Sequence, residues 1–217
     1  MQGKNRLTET VKNPLPYRFI LDLRQILCPH PHDGCFRDWS WAQQQFIKKT
    51  GNGDWFEVNA DIIDHEDPDC VWRTKTVERN HKKVDIYQIW SPVRAIVLFV
   101  KLHLPLRTHQ VRMLDSGEAD TYRYDNGQWL INTKHIFAKG NSKKPFQKGV
   151  FRRICDSMTG ADSTGLYINT NKTADISKAE LNLGYVIPWE NRTVLYWLSK
   201  LREWQEKYNP PDIHHLT

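Results

Sequence analysis

Residues Trp90 to Asp120 read WSPVRAIVLFVKLHLPLRTHQVRMLDSGEAD, and the reading of the fold turns on them. Ser91 followed by Pro92 makes a good helix start. A hydroxyl accepts a free backbone N–H at the N-cap, and proline at the first helical position loses no donor the helix needs. Ala95, Ile96, Val97, Leu98, Phe99 and Val100 leave the helix no clean polar face, so it should be buried on most sides. Arg94 and Lys101 bound an apolar run far too short to cross a bilayer. Leu104-Pro105 breaks the helix, and Arg107 follows at the start of a second short amphipathic segment through Val111 and Leu114. An arginine so placed offers a planar fork of donors to an anion, which is a phosphate site in outline.

Beyond this stretch, Thr121 to Asp125 and Gln128 to Thr133 flank Asn126-Gly127, a strong tight-turn signal for a β-hairpin. From Lys134 to Arg153 the chain carries Lys134, Lys139, Lys143, Lys144, Lys148, Arg152 and Arg153 with no acidic residue among them. Such a run is either a solvated basic loop or a loop that contacts phosphates. GLYINT at 165–170 and GYVIP at 184–188 read as two further strands joined by a long polar connection. Val194, Trp197, Leu198, Leu201, Trp204 and Tyr208 recur at three- and four-residue steps and predict an amphipathic helix over 190–208, with Glu203 and Lys207 as an i,i+4 pair.

Upstream, residues 1–15 read as a flexible lead-in and Tyr17 to Leu27 as a helix. Asp38 to Lys49 reads as another helix, with Trp41, Phe46 and Ile47 on one face. Residues 54–90 give no firm pattern beyond a possible short strand at Val84, Ile86 and Gln88, and 16–89 is taken as a helical, arm-like region.

A buried apolar helix, a sharp turn, Arg107, a short helix ending in an acidic turn (Asp115, Glu118, Asp120) and then a hairpin resemble the first catalytic box of tyrosine recombinases, the phage-integrase family. Gln110 stands where that family usually has an acidic residue. GLYINTNKTADISKAELNLGYVIPWE looks like the family's strand, lysine-bearing turn and return strand, with Asn171-Lys172-Thr173 as the turn and Ile187-Pro188 closing the return strand. The likeness is nearest to the large integrase-like proteins of bacterial mobile elements. It implies that Arg107 stabilises charge on the scissile phosphate and that Lys172 protonates the leaving 5′-oxygen, without a metal or other cofactor. The family's later His-x-x-Arg box and nucleophilic tyrosine, which forms a 3′-phosphotyrosine, have no counterpart here. Ile213 to Thr217 only superficially resembles such a box, and Tyr208 reads as a core residue.

The resemblance implies an α+β fold, mainly helical, representing the N-terminal half of a tyrosine-recombinase catalytic domain with small antiparallel β-hairpins. That half-domain would span 90–217 and carry a basic insertion at 134–163. The implied function is DNA binding in site-specific breakage and rejoining, inactive in this chain alone, with double-stranded DNA as partner and a homo-oligomer on DNA in the intact protein. The expected location is the bacterial cytoplasm, on the nucleoid when DNA is bound.

The bulk numbers agree with a folded, DNA-associated protein. In 217 residues, 39% hydrophobic and 12% aromatic content exclude a disordered polymer, and 31 Lys+Arg against 25 Asp+Glu give a charge of +6. No apolar run reaches the ~18 residues of a membrane span, and the polar start lacks the apolar core of a signal peptide. Two other readings remain. One is a non-catalytic DNA-binding regulator or decoy derived from an integrase. The other, weaker, is a zinc-stabilised interaction module built on Cys28, His30, His32 and Cys35 of CPHPHDGC, all ligand types but at spacing unlike paired knuckles. The acidic cluster Asp61, Asp64, Glu66, Asp67 and Asp69 reads as a solvated loop. Trp90, Trp197 and Trp204 read as packing residues rather than base-stacking ones.

Overall fold

A computed structural model describes residues 15–44, 53–133, 138, 140–169, 184–188 and 191–209. The chain enters as helix α1 (Tyr17–Leu27), passes a 3₁₀ turn (Phe36–Asp38) and reaches the short α2 (Ser40–Gln44). Strands β1 (Trp55–Val58), β2 (Trp72–Arg79) and β3 (Lys82–Trp90) follow, and then α3 (Val93–His103) and α4 (Thr108–Arg112). Next come β4 (Tyr122–Asp125), β5 (Gln128–Ile131), the two-residue β6 (Gly140–Asn141) and β7 (Lys144–Pro145), β8 (Phe151–Cys155), β9 (Asp162–Ile168) and β10 (Tyr185–Ile187). Helix α5 (Arg192–Tyr208) ends the described chain.

The mainly helical expectation is overturned. Among the described residues, five α-helices stand beside ten strands in four small antiparallel sheets, ordered β1-β3-β2, β10-β9-β8, β4-β5 and β6-β7. The largest sheet fills residues 55–90, where a helical region was expected. β3 is its centre, with Trp55 opposite Trp90 and Trp72 opposite Ile89. Past Ile86 the β2–β3 ribbon leaves the core. Its residues there are polar or exposed, so hydrophobic alternation, the main sequence signal for a strand, is missing. Asn80 and His81 close it with φ of 52° and 58°, the left-handed pair of a tight hairpin turn.

Helix α1 forms over the residues its spacing predicts, but only Leu27 of it is buried. Of the helix expected over 38–49 the described residues show Ser40–Gln44; Trp39 and Ala42 are buried and Trp41 packs partly buried against the core. Phe46 and Ile47 lie outside the described residues. Helix α3 begins at Val93, later than the Ser91-Pro92 signal, and Ser91 instead donates its backbone N–H to Asp54 O at 2.8 Å. Ala95, Ile96, Phe99 and Val100 are its buried face. The Asn126-Gly127 hairpin forms as β4–β5, with φ of 46° and 83° at the turn. In α5, capped by the Asn191 side chain accepting from Val194 N at 3.0 Å, Val194, Trp197, Trp204 and Tyr208 face the core.

The core is an aromatic cluster centred on Trp197. Its ring lies 4.7 Å from Trp39 and 5.4 Å from Phe36, and Trp39 in turn lies 5.6 Å from Phe99. The cluster ties the segment after α1, helix α3 and helix α5 together, and the Trp197 indole N–H donates to Pro31 O at 3.1 Å. Asp67 and Asp69 are not solvated, as their loop was expected to be. Asp69 accepts from Phe36 N at 2.8 Å and from Lys200 at 2.6 Å; Asp67 accepts from Lys207 at 2.6 Å and from the Tyr208 hydroxyl at 2.8 Å. Lys207 thus reaches across to Asp67 rather than along its own helix. Trp197→Ala is expected to lower unfolding free energy by about 3–5 kcal/mol, and Asp69→Ala by about 1–3 kcal/mol. Urea denaturation checks both, and a Trp197→Ala midpoint equal to wild type would contradict this core.

Candidate nucleic-acid interface

Leu104 and Leu106 anchor the α3–α4 corner on either side of the exposed Pro105, each no more than 9% accessible. Gripped at both ends, the corner turns Arg107 outward, and its side chain is exposed. Arg107 is extended at φ −69° and ψ 149°, and its N–H donates to Gln110 Oε1 at 3.0 Å. Gln110, which replaces the acidic residue of the resemblance, therefore does the capping work a carboxylate would do. Its other end points away from Arg107: Gln110 Nε2 donates to the Tyr185 hydroxyl at 3.4 Å. Lys101 Nζ reaches Thr108 Oγ1 at 2.6 Å, so a second cation stands at the start of α4.

The sheet β10-β9-β8 brings the second predicted motif to the same place. The strands read from GLYINT and GYVIP pair antiparallel, Ile168 opposite Tyr185 and Leu166 opposite Ile187. At the end of β9 the Asn169 side chain donates to Met113 O, just past α4. At the start of β10 Tyr185 meets Gln110, within α4. Both ends of the 170–183 connection are thus fastened to the helix that follows Arg107. Lys172 lies outside the described residues.

The basic run separates into two kinds of residue. Lys134 and Lys139 lie outside the described residues. Lys143 and Lys144 are exposed on the β6–β7 turn, which Asn141 Oδ1 closes by accepting both of their backbone N–H groups at 3.0 Å. Arg152 is different: it is 8% accessible, its guanidinium sits 3.9 Å from the centre of the Tyr167 ring, and burial holds its pKa below the usual value. Arg153 pairs with Asp162 at 2.6 Å and covers the Tyr122 ring at 4.7 Å. The two arginines pack on or pair with β9 and its neighbours, and among the described lysines of the run Lys143 and Lys144 are the exposed ones.

What fastens this loop to the Arg107 box is Asp120, which the sequence reading noted only as part of an acidic turn. Its carboxylate is 5% accessible and accepts from Lys148 N at 2.5 Å and Gly149 N at 2.9 Å. Thr121 adds a reciprocal pair with Phe146, at 3.0 and 2.8 Å. Gly149 has no room for a side chain, since a Cβ there would lie 2.6 Å from Gly117 Cα. These partners are 29 residues apart in sequence, so no local pattern announces them.

No zinc cluster forms at CPHPHDGC. Cys28 is buried at 2%, and burial pushes its thiol up to about 12, away from the thiolate a metal needs. Cys35 Sγ contacts Asp38 Oδ2 at 3.4 Å, His32 Nδ1 contacts Thr193 Oγ1 at 3.4 Å, and His30 is exposed. Among the described residues no group of three or more His, Cys, Asp or Glu is arranged to hold a metal ion. Nor is any described helix long and apolar enough to cross a membrane.

Residues 1–214 match the family model described as "Putative integrase". The chain belongs to that integrase family. Among curated proteins and solved structures nothing matches it. Membership links this integrase-family chain to DNA integration and recombination and makes DNA its partner at that level.

Burial raises the Asp120 pKa from 3.8 to about 6. A carboxylate whose folded pKa lies above its unfolded one favours the folded state when protonated, so its contribution falls as pH rises through that interval. Relative to an Asp120→Asn variant, the wild-type chain should lose roughly 3 kcal/mol of stability between about pH 4 and 7. Thermal melts of both proteins across that range test this, and a pH-independent difference would refute it.

Proposed function

We propose that this chain is the DNA-engaging part of a site-specific recombinase of the tyrosine type, acting on double-stranded DNA of a mobile element. Arg107 would hold the nonbridging oxygens of the scissile phosphate and Lys172 would protonate the leaving 5′-oxygen. Attack on a phosphodiester builds negative charge on the nonbridging oxygens, which a guanidinium fork meets in bidentate fashion, and the expelled alkoxide needs a positioned acid. Lys143, Lys144 and Lys148, with Lys134 and Lys139 of the same run, would follow the neighbouring backbone by charge alone, contributing affinity but not sequence preference.

The observation that supports this reading best is the double attachment of the Lys172-bearing connection to α4, through Asn169 to Met113 O and Tyr185 to Gln110. The residues flanking the connection that carries Lys172 are thereby held at the α4 corner, although 65 positions separate Arg107 from Lys172 in the sequence. Tyr208 is not the nucleophile in this account. It is 5% accessible, its hydroxyl is held by Asp67, and burial drives its pKa well above the ordinary phenol value. Arg152 is left out of the DNA-contacting set because it is buried on Tyr167.

Fluorescence anisotropy with a labelled duplex, read at several salt concentrations, tests the assignment. Arg107→Ala and Lys172→Ala should each weaken binding several-fold and reduce the slope of log affinity against log salt by about one. Affinity and slope unchanged in both variants would remove the two residues from the interface. DNA binding that never yields a covalent adduct on a nicked duplex, even with the rest of an integrase supplied, would favour a non-catalytic regulator instead.

A further inference from the structure

Below α4 lies a cavity of about 240 Å³ that the DNA-binding reading does not use. Ile96, Val97, Val100, Val111, Leu198 and Leu201 wall it, from α3, α4 and α5. Arg112 and Asp115, both exposed, stand at its mouth with opposite charges. Arg202 lines its deep side and is only 6% accessible. One guanidinium nitrogen of Arg202 donates to Tyr124 O at 2.7 Å, while the buried Nε has no partner. Arg123, 5% accessible, lies near enough to repel Arg202 but holds Glu206 in a two-pronged pair at 2.5 and 3.0 Å, and Glu206, Glu203 and Asp125 lie near enough to attract Arg202.

Two features of the cavity select what would fill it. Aliphatic walls take apolar matter; a cavity of about 150 Å³ holds benzene, so this one suits roughly ten non-hydrogen atoms. The buried side sets a different demand, because a guanidinium N–H without an acceptor is costly unless a group such as a carboxylate accepts from it. A lone water would give Nε an acceptor but would leave the apolar walls uncovered. We propose that the cavity binds a small monocarboxylate with an aliphatic body, its carboxylate accepting from Arg202 and its chain lying among Val97, Val100 and Leu201. Octanoate, with ten non-hydrogen atoms, is the probe that matches this volume, and 1-octanol is its uncharged counterpart.

The experiment is thermal unfolding of the full chain with octanoate or 1-octanol at equal millimolar concentrations. Octanoate at ten times its Kd should raise the melting temperature by about 3–6 °C, and the alcohol should raise it less. Val97→Phe fills the cavity and should abolish the shift. Arg202→Met removes a buried charge while keeping much of the side chain's length, and in it octanoate should lose its advantage over the alcohol. No shift with octanoate, equal shifts with both ligands in wild type, or a full octanoate advantage retained in Arg202→Met would each overturn the proposal. Should Val97→Phe fail to fold, the Arg202→Met comparison still decides.

Discussion

The packing of Trp197 against Trp39 and Phe36 is the constraint on which the rest of the structure depends. It joins two parts of the chain far apart in sequence. Phe36 also lies 6.4 Å from Trp90 at the end of β3, so the largest sheet is registered against the same cluster. Phe99 on α3 packs on Trp39, which fixes where α3 ends and hence where Leu104-Pro105 turns the chain. The position of Arg107 is therefore decided by tryptophan packing well away from it. Large flat side chains suit this role because each buries a large apolar area while losing freedom about only two side-chain torsions.

From that corner outward, polar contacts replace apolar ones. Gln110 satisfies the Arg107 backbone with one end and reaches β10 with the other. Asp120 draws the Lys148-Gly149 backbone onto the turn that follows α4. Both are buried polar groups whose bonds cross between segments distant in sequence. Such bonds specify geometry more than they add stability, since each replaces bonds to water. The corner carrying Arg107, the hairpin before and after the Lys172 connection, and the base of the lysine-bearing loop become one surface by this means.

The parts of this arrangement that were legible in the sequence are those with a local physical signature. The Leu104-Pro105 break, the Asn126-Gly127 turn, the α5 stripe with Trp197 and Trp204, and the GLYINT and GYVIP strands all follow from spacing or turn chemistry. Residues 54–90 were legible only at Val84, Ile86 and Gln88, which fall in β3, because the half-buried face of β2 is built mostly of Arg73, Lys75 and Val77 rather than a run of apolar residues. β8 was hidden for another reason: FRRIC falls at the end of a basic run, and its arginines looked like surface charge. Only Tyr167 and Asp162, brought in by β9, show that Arg152 is buried on a ring and that Arg153 makes an ion pair within the protein's own sheet. Trp39 gave no such signal because it stands between the Phe36–Asp38 turn and α2, outside any regular repeat.

The central claim is that Arg107 and Lys172 act on DNA from one surface. A double-mutant cycle in duplex binding tests it most directly, comparing Arg107→Ala, Lys172→Ala and the double variant at one salt concentration. Residues serving the same phosphate should be coupled, so the double variant should lose less affinity than the product of the two single losses, by a factor of at least about two. Losses that multiply without coupling would mean that the two residues meet DNA independently, and the shared site at the α4 corner would be wrong.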